Sequence, residues 1–353
     1  MGGDSKKNKK ILTISVAAYN IEECIERCLS SLMIDAEQMK KMEVLIENDG
    51  STDKTAEIAK KFVEKYPETF KLINKKNGGY GSTVNNSIEL ATGKYFKILD
   101  GDDEFETRNL SKFLDMLEKI DSDMVYTPRV RLLEYNNQRE ILSSFTGEVC
   151  GEEPISILDT IKCDVSEILM FTTAYKTDVL RRARFRLPEH ILYTDNIVTF
   201  CPITETETIF ISHLPIYVYH VGRDGQSTSI DTVLKHGEEN KQVAKYLLDF
   251  SKKHRKNNKI FSKCFGRVYC HAYITGYKIL LPATRKNLRD IKEFDTYVKS
   301  ENVEVWRAMA GSKTVWFLRA THFLQLPYRM LHFWRGMKLR KEQKTINSGG
   351  ISG

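Results

Sequence analysis

Residues 95–103 read Tyr-Phe-Lys-Ile-Leu-Asp-Gly-Asp-Asp. The stretch Tyr95–Leu99 is too short for a helix and reads as a strand that ends abruptly in charge. The same figure recurs upstream. Ile11–Ala17 is a short apolar strand followed by Tyr19-Asn20, Val44–Ile46 is followed by the turn Asn48-Asp49-Gly50-Ser51, and Phe70–Ile73 by a Gly-rich loop from Asn77 to Gly81. Helical patterns lie between. Glu22–Leu32 carries Ile25, Cys28, Leu29 and Leu32 on one face; Thr52 or Asp53 can cap a helix through Lys65; Ser82–Leu90 is closed by Thr92-Gly93. A helix over Thr107–Ile120 and a strand over Met124–Thr127 follow.

Strands alternating with helices predict an α/β fold, a Rossmann-like, mainly parallel sheet flanked by helices. In such sheets the chemistry lies at the carboxyl ends of the strands. Each polar cluster falls there, and that coincidence carries more weight than any one cluster. Further on the pattern loosens, with strands expected over Glu167–Tyr175 and Thr208–Tyr219. From about residue 232 it is helical: Val233–Phe250, Lys263–Leu281, Lys286–Lys299, Val303–Met309 and Val315–Leu339, with Ser251–Lys259 as a candidate linker and Pro327 expected to break or kink the last helix.

A chain of 353 residues, 41% hydrophobic, has ample core for one large domain, or for one plus an appendage. Its net charge of +7 is unevenly spread: residues 1–10 carry +3 and residues 321–353 carry +5, so the body is near neutral. That argues against a body-wide nucleic-acid surface and for local contact with something anionic, or for solvated tails. Seven cysteines without a C-x-x-C pair suggest reduced thiols in a cytosolic protein. The apolar run Ile11–Ala18 soon meets Glu22, Glu23 and Glu26, which does not suit a signal peptide. No stretch approaches the ~18–20 apolar residues of a membrane span.

Asp100, Asp102 and Asp103 place three carboxylates at a strand end, a set that can hold Mg²⁺ or Mn²⁺ and through it phosphate oxygens. Asp100 and Asp102 are one pleat repeat apart, so both can face one ligand. The same residues also suit a turn that caps the next helix. A haloacid-dehalogenase-type phosphatase would carry its Asp-x-Asp motif on the first strand, whereas here the strand is the fourth and Glu104 stands at the fifth position.

The first 105 or so residues resemble a family-2 glycosyltransferase of the A-type fold, of the bacterial kind. Ala17-Ala18-Tyr19-Asn20 matches the family's Pro-x-Tyr-Asn, with Ala for Pro. Asn48-Asp49-Gly50-Ser51-Thr52-Asp53 matches its Asp-Asp-Gly-Ser turn, with Asn for the first Asp. Asn77-Gly78-Gly79 and Asn85 resemble its Asn-x-Gly loop and helix, and Ala91-Thr92-Gly93 its lead into the Asp-x-Asp motif. The similarity runs more narrowly to about residue 232, through Pro188-Glu189-His190 to Tyr193-Thr194-Asp195 and Gly222-Arg223-Asp224-Gly225-Gln226-Ser227.

The resemblance implies a metal-dependent, inverting, hexosyltransferase-type enzyme. It would move a sugar from a nucleotide diphosphate sugar to a hydroxyl of a saccharide or lipid-linked acceptor in cell-surface polysaccharide synthesis. Tyr19 would lie against the base; Asn48 and Asp49 would meet base or ribose; Ala17, Asn20, Asn77 and Gly78 would line the nucleotide-sugar site. Asp100 would tend toward the ribose and Asp102 toward the divalent cation (Mn²⁺ or Mg²⁺), with Asp103 nearby and His220 completing the shell. Asp195 is the expected base, with Asp164 and Asp178 as weaker substitutes. Arg223 would contact the diphosphate, and Gln226 and Ser227 would order their loop over it. The competing readings are a nucleotidyltransferase, which would open with a basic Gly-rich loop where Ala17–Asn20 stand, and a non-catalytic binding relative.

These expectations divide the chain into a basic tail over 1–10, a catalytic domain over 11–230 (nucleotide-sugar half 11–128, acceptor half 129–230), a helical region over 231–340 and a tail over 341–353. Trp316, Phe317, Phe323, Leu326, Phe333 and Trp334 crowd a basic C-terminal segment. That pattern fits a helix lying in an anionic membrane interface, hence a cytoplasmic protein peripheral on the inner face of the plasma membrane; a helix docked on the catalytic domain fits it too.

Overall fold

The computed structural model describes residues 10–145, 151, 153–222, 226, 229–270 and 272–334. Residues 1–9, Arg223, Ser227 and 335–353 therefore lie outside the described residues. Two compact units are formed, one from Met1–Leu132 and Arg139–His220, the other from Leu133–Gln138 and Val221–Gly353.

In the first unit β1 (Leu12–Ala18), α1 (Ile25–Ser30), α2 (Ala36–Lys40), β2 (Met42–Asn48), α3 (Thr55–Lys65), β3 (Phe70–Asn74), α4 (Tyr80–Leu90), β4 (Tyr95–Asp100), β5 (Glu104–Phe105) and α5 (Thr107–Lys119) alternate much as the sequence pattern requires. Next come β6 (Met124–Tyr126), β7 (Arg129–Leu133), β8 (Gln138–Leu142), β9 (Ile155–Ser156), β10 (Thr173–Lys176), α6 (Thr177–Arg182), α7 (Asp195–Phe200), β11 (Thr208–Ile211) and β12 (Tyr217–Val221). The main sheet runs β3-β2-β1-β4-β10-β6-β11-β9, and a smaller one runs β5-β12-β7-β8. The first four strands of the main sheet are parallel, while β10 is antiparallel to both neighbours.

Parallel strands are covered on both faces, and β2 is buried along its whole length. Its two carboxylates are satisfied by specific donors. Glu43 accepts from Thr13 Oγ1, the Thr92 N–H and Lys71 Nζ, and Glu47 accepts from Asn86 and Ser87. α5 buries Leu110, Phe113, Leu114 and Leu117, the i, i+3, i+4, i+7 stripe of a core-facing helix. Register brings the site loops level: Ala17 pairs with Asp100, Ala18 with Asn48, and Asn48 with Asn74.

Several expected elements differ. Neither Thr52 nor Asp53 is the cap residue of α3, which is Lys54; Asp53 accepts from the Thr55 N–H from one position further back. The strand expected over Glu167–Tyr175 is confined to β10, because Met170–Thr172 forms a 3₁₀ turn. Thr208–Tyr219 is two strands in two sheets. Pro215, which has no N–H to give, lies in the link between them.

In the second unit α8 (Ile230–His236) and α9 (Glu239–Lys253) replace the single helix expected over Val233–Phe250. Gly237 stands at the break, where a Cβ would fall 2.1 Å from the Tyr277 ring. α9 runs to Lys253 and α10 (Asn258–Cys264) begins five residues later, so Ser251–Lys259 is a tight helix connection and not a linker. Two π-helical stretches, Phe265–Cys270 and Tyr273–Lys278, occupy most of the expected Lys263–Leu281 helix. They are followed by α11 (Arg285–Glu301), α12 (Val303–Met309), α13 (Lys313–Ala320) and a helix over 325–334. The last expected helix thus breaks before Pro327, at Thr321–Leu324, where His322 and Phe323 adopt left-handed backbone. Pro327 falls in the first turn of the helix that follows, where its missing N–H costs nothing.

Candidate active site

Three loops leave the sheet side by side. After β2, Asn48 Oδ1 accepts from the Ser51 N–H and its amide donates to Asn74. Asp49 is buried, and the loop after β3 is wrapped around its carboxylate. Lys75 Nζ (2.6 Å) and the Gly78 N–H (2.9 Å) donate to Oδ1, and the Gly79 N–H (2.8 Å) donates to Oδ2. Asn77 closes the ring by donating to the Asp49 carbonyl. Gly79 has a φ of +78°, and a Cβ there would fall 2.9 Å from the His190 nitrogen. Asn48, Asp49, Asn77 and Gly78 therefore form one cluster, in which Asp49 organises the loop.

After β1, Asn20 accepts from the Thr52 N–H, which ties this loop to the β2 turn. Tyr19 is 52% exposed, which leaves it accessible to a ligand. The β1 and β4 ends touch: the Gly101 N–H donates to the Ala17 carbonyl, and a Cβ on Gly101 would come within 2.6 Å of that oxygen. Glycine at the centre of Asp-Gly-Asp is thus a packing requirement.

One ligand atom each from Asp100, Asp102 and Asp103 falls within 4.8 Å of the others. Asp103 is buried and both its oxygens take protein donors, Tyr217 Oη (2.7 Å) and the His220 N–H (2.9 Å). Burial, and then the charge of Asp102, push its pKa up to about 7. Asp100 is raised well above the carboxylate range by burial and then by Asp102, Asp103 and Asp195. Its Oδ1 is buried with no hydrogen-bond donor. Crowded carboxylates with an unsatisfied buried oxygen fit a hard divalent cation, which would remove the repulsion that raises these pKa values. Asp100 and Asp102 could hold it. His220 is outside this group; its Nε2 lies 3.5 Å from Glu104 Oε1.

Asp195 arrives from the far end of the unit as the first residue of α7, yet its charge acts on Asp100. Burial lifts its pKa to about 6. The segment that delivers it is stitched down at two points. Leu187 exchanges both backbone bonds with the Asn85 amide, and the His190 N–H donates to the Gly78 carbonyl. His190 and Tyr193 take positive φ on the way. Asp164 and Asp178 are exposed, and neither is among the carboxylates that act on Asp100. Gln226 belongs to the second unit, where its side chain accepts from the Gly222 N–H.

Three residues around the site were not singled out by sequence. Tyr80, the first residue of α4, has a half-buried hydroxyl that donates to Met170 Sδ at 3.2 Å, within reach of the Asp100 charge. Burial, then Asp100 and Asp195, raise its pKa. Tyr217 Oη accepts from the Asp100 N–H while donating to Asp103. Lys97 is buried in β4 and donates to the Phe171 and Thr173 carbonyls.

A sheet whose strand ends gather an open aromatic ring, an amide-rich turn, an acidic turn and a fourth carboxylate from a later helix defines a glycosyltransferase of the A-type fold. Residues 13–172 match the model of Glycosyl transferase family 2. An uncharacterized glycosyltransferase of Mycoplasma pneumoniae is 25% identical over 224 residues, 63% of this chain and 71% of that protein. A poly(ribitol-phosphate) beta-glucosyltransferase of Bacillus spizizenii is 25% identical over 221 residues, 62% of this chain but only 33% of that protein. The solved structure of residues 1–349 of S. aureus TarS in complex with UDP-GlcNAc has the same fold, with a TM-score of 0.66 and 19% identity over 92% of both chains. The phosphatase, nucleotidyltransferase and non-catalytic readings are set aside.

Proposed function

We propose that this enzyme moves a sugar from a nucleoside diphosphate sugar to a hydroxyl of a saccharide or lipid-linked acceptor in cell-surface polymer synthesis, with inversion in a single displacement. The observation that carries the reading is the acidic turn Asp100-Gly101-Asp102-Asp103 at the end of β4, level in register with the Ala17 and Asn48 loops. Tyr19 stacks on the base and the Asn48 turn borders it. Asp195 takes the proton of the acceptor hydroxyl as its oxygen bonds to the anomeric carbon and the bond to the diphosphate breaks. Asp100 and Asp102 would hold a divalent cation, which would neutralise charge on the departing diphosphate. Asp103 acts one layer back, joining the acidic turn to β12.

A relative named for poly(ribitol-phosphate) and a fold neighbour solved with UDP-GlcNAc make uridine nucleotide sugars and polyol-phosphate polymers the first donor and acceptor to test. We expect Asp195→Asn to lower kcat by about 10²–10⁴-fold while the Kd for UDP with Mn²⁺, by titration calorimetry, stays within about twofold. We expect Asp102→Asn to abolish the Mn²⁺-dependent part of UDP binding. Near-normal turnover by Asp195→Asn would falsify the assignment of the base.

A further inference from the structure

The helix over 325–334 is docked the wrong way round for a soluble protein. Its polar groups face inward: Gln325 Nε2 donates to the Ala283 carbonyl, the Asn287 amide donates to Tyr328 Oη, and His332 Nε2 lies 2.6 Å from the Leu281 carbonyl. Tyr328 is fully buried. On the outer side stand Leu326 (70% exposed), Met330 (53%), Phe333 (63%) and Trp334 (64%). At about 100° per residue, Leu326, Met330 and Phe333 fall within about 60° of one another, roughly opposite Tyr328. Trp316 on α13 and Leu324 in the connection are likewise 59% exposed. Single exposed apolar residues need no explanation, whereas a helix face made of them marks an interaction surface.

The charge pattern selects the partner. Between Glu304 and Glu342 the sequence has no acidic residue and eight Lys or Arg, including the exposed Lys313 and Arg329. A second copy of the same face would bring like charges together. A nucleic acid would engage the basic groups but leave Leu326, Met330 and Phe333 without a partner. Basic residues beside Leu, Phe and Trp match the boundary between lipid headgroups and acyl chains, where Trp is enriched. We infer that this face docks the enzyme in the plane of an anionic bilayer, with Leu326, Met330, Phe333 and Trp334 inserted and the basic groups at headgroup level. The inference does not depend on the transferase reading.

The test is co-sedimentation of the full chain with vesicles of phosphatidylcholine alone or mixed with phosphatidylglycerol, at low and high salt. The wild type is expected to pellet with the anionic vesicles and to release as salt rises. The triple variant Leu326→Gln/Met330→Gln/Phe333→Ser is expected to bind at least about tenfold more weakly, with an unchanged melting temperature because the three side chains face outward. Three outcomes would overturn the inference: no pelleting of the wild type, equal pelleting of the variant, or a wild-type dimer by light scattering that the variant dissociates.

Discussion

Lys97 and Asp100 stand three residues apart on β4, and the pleat turns them to opposite faces. Among the described residues no carboxylate pairs with Lys97; two carbonyls and the Phe105 and Tyr217 rings, 5.9 and 6.0 Å away, are its company. Burial pushes its pKa down to about 7, whereas an unfolded chain keeps that proton to about 10.4. Between those values the unfolded state binds more protons, so this site makes stability rise with pH. We expect the stability of Lys97→Met relative to wild type, from urea unfolding, to be greatest at about pH 7 and to shrink toward about pH 9.5. Tyr80 donates instead to the Met170 sulfur, with the Asp100 and Asp195 charges acting on its hydroxyl. A neutral bond of this kind is worth at most about 0.5–1.5 kcal/mol, so Tyr80→Phe should lower the unfolding free energy by no more than that, read from urea unfolding. Neither residue was legible in the sequence, because Tyr and Lys at these positions read as ordinary helix and strand. The Tyr217–Asp103 bond spans 114 positions, and no local pattern reports it.

At the scale of elements, legibility followed burial. β1, β2 and β4 are covered on both faces and end in polar turns, so apolar run and break were both visible; the parallel core and its three loops followed. Beyond residue 130 the β10 strand is four residues long and its chain neighbour is a 3₁₀ turn, and apolar content alone cannot separate the two. The Asn77-Gly78-Gly79 loop was legible as a loop, but its partner was not, since the donors to Asp49 come from 28–30 residues downstream. α4 is the element on which the site depends most, because it starts at Tyr80 and carries Asn85. Replacing Asn85 with Ala would strand the buried N–H and C=O of Leu187. At about 1–3 kcal/mol for each group left unpaired, Asn85→Ala should lower the urea midpoint and also weaken catalysis, since the released segment is the one that carries Asp195.

For the molecule as a whole, the three tryptophans, Trp306, Trp316 and Trp334, all belong to the second unit. Trp306 donates to the buried Asp295, which also receives Arg319, and the guanidinium lies 4.0 Å over the indole. Breaking such a pair costs about 3–5 kcal/mol, so Asp295→Asn should shift an unfolding curve followed by tryptophan emission to lower denaturant. Donor binding by calorimetry reads the first unit instead, and the two measurements together assign any lesion to its unit. No helix among the described residues is long and apolar enough to cross a membrane. The pairing of Ala17 with Asp100 and of Ala18 with Asn48 has a consequence of its own. A slip of one residue between these strands would send Asp100 or Asn48 to the opposite side of the sheet. Under the proposed donor reading, nucleotide capture becomes an assay of correct strand alignment: a refolded preparation is expected to titrate with a nucleoside diphosphate only in proportion to the molecules whose central strands have found their proper rungs.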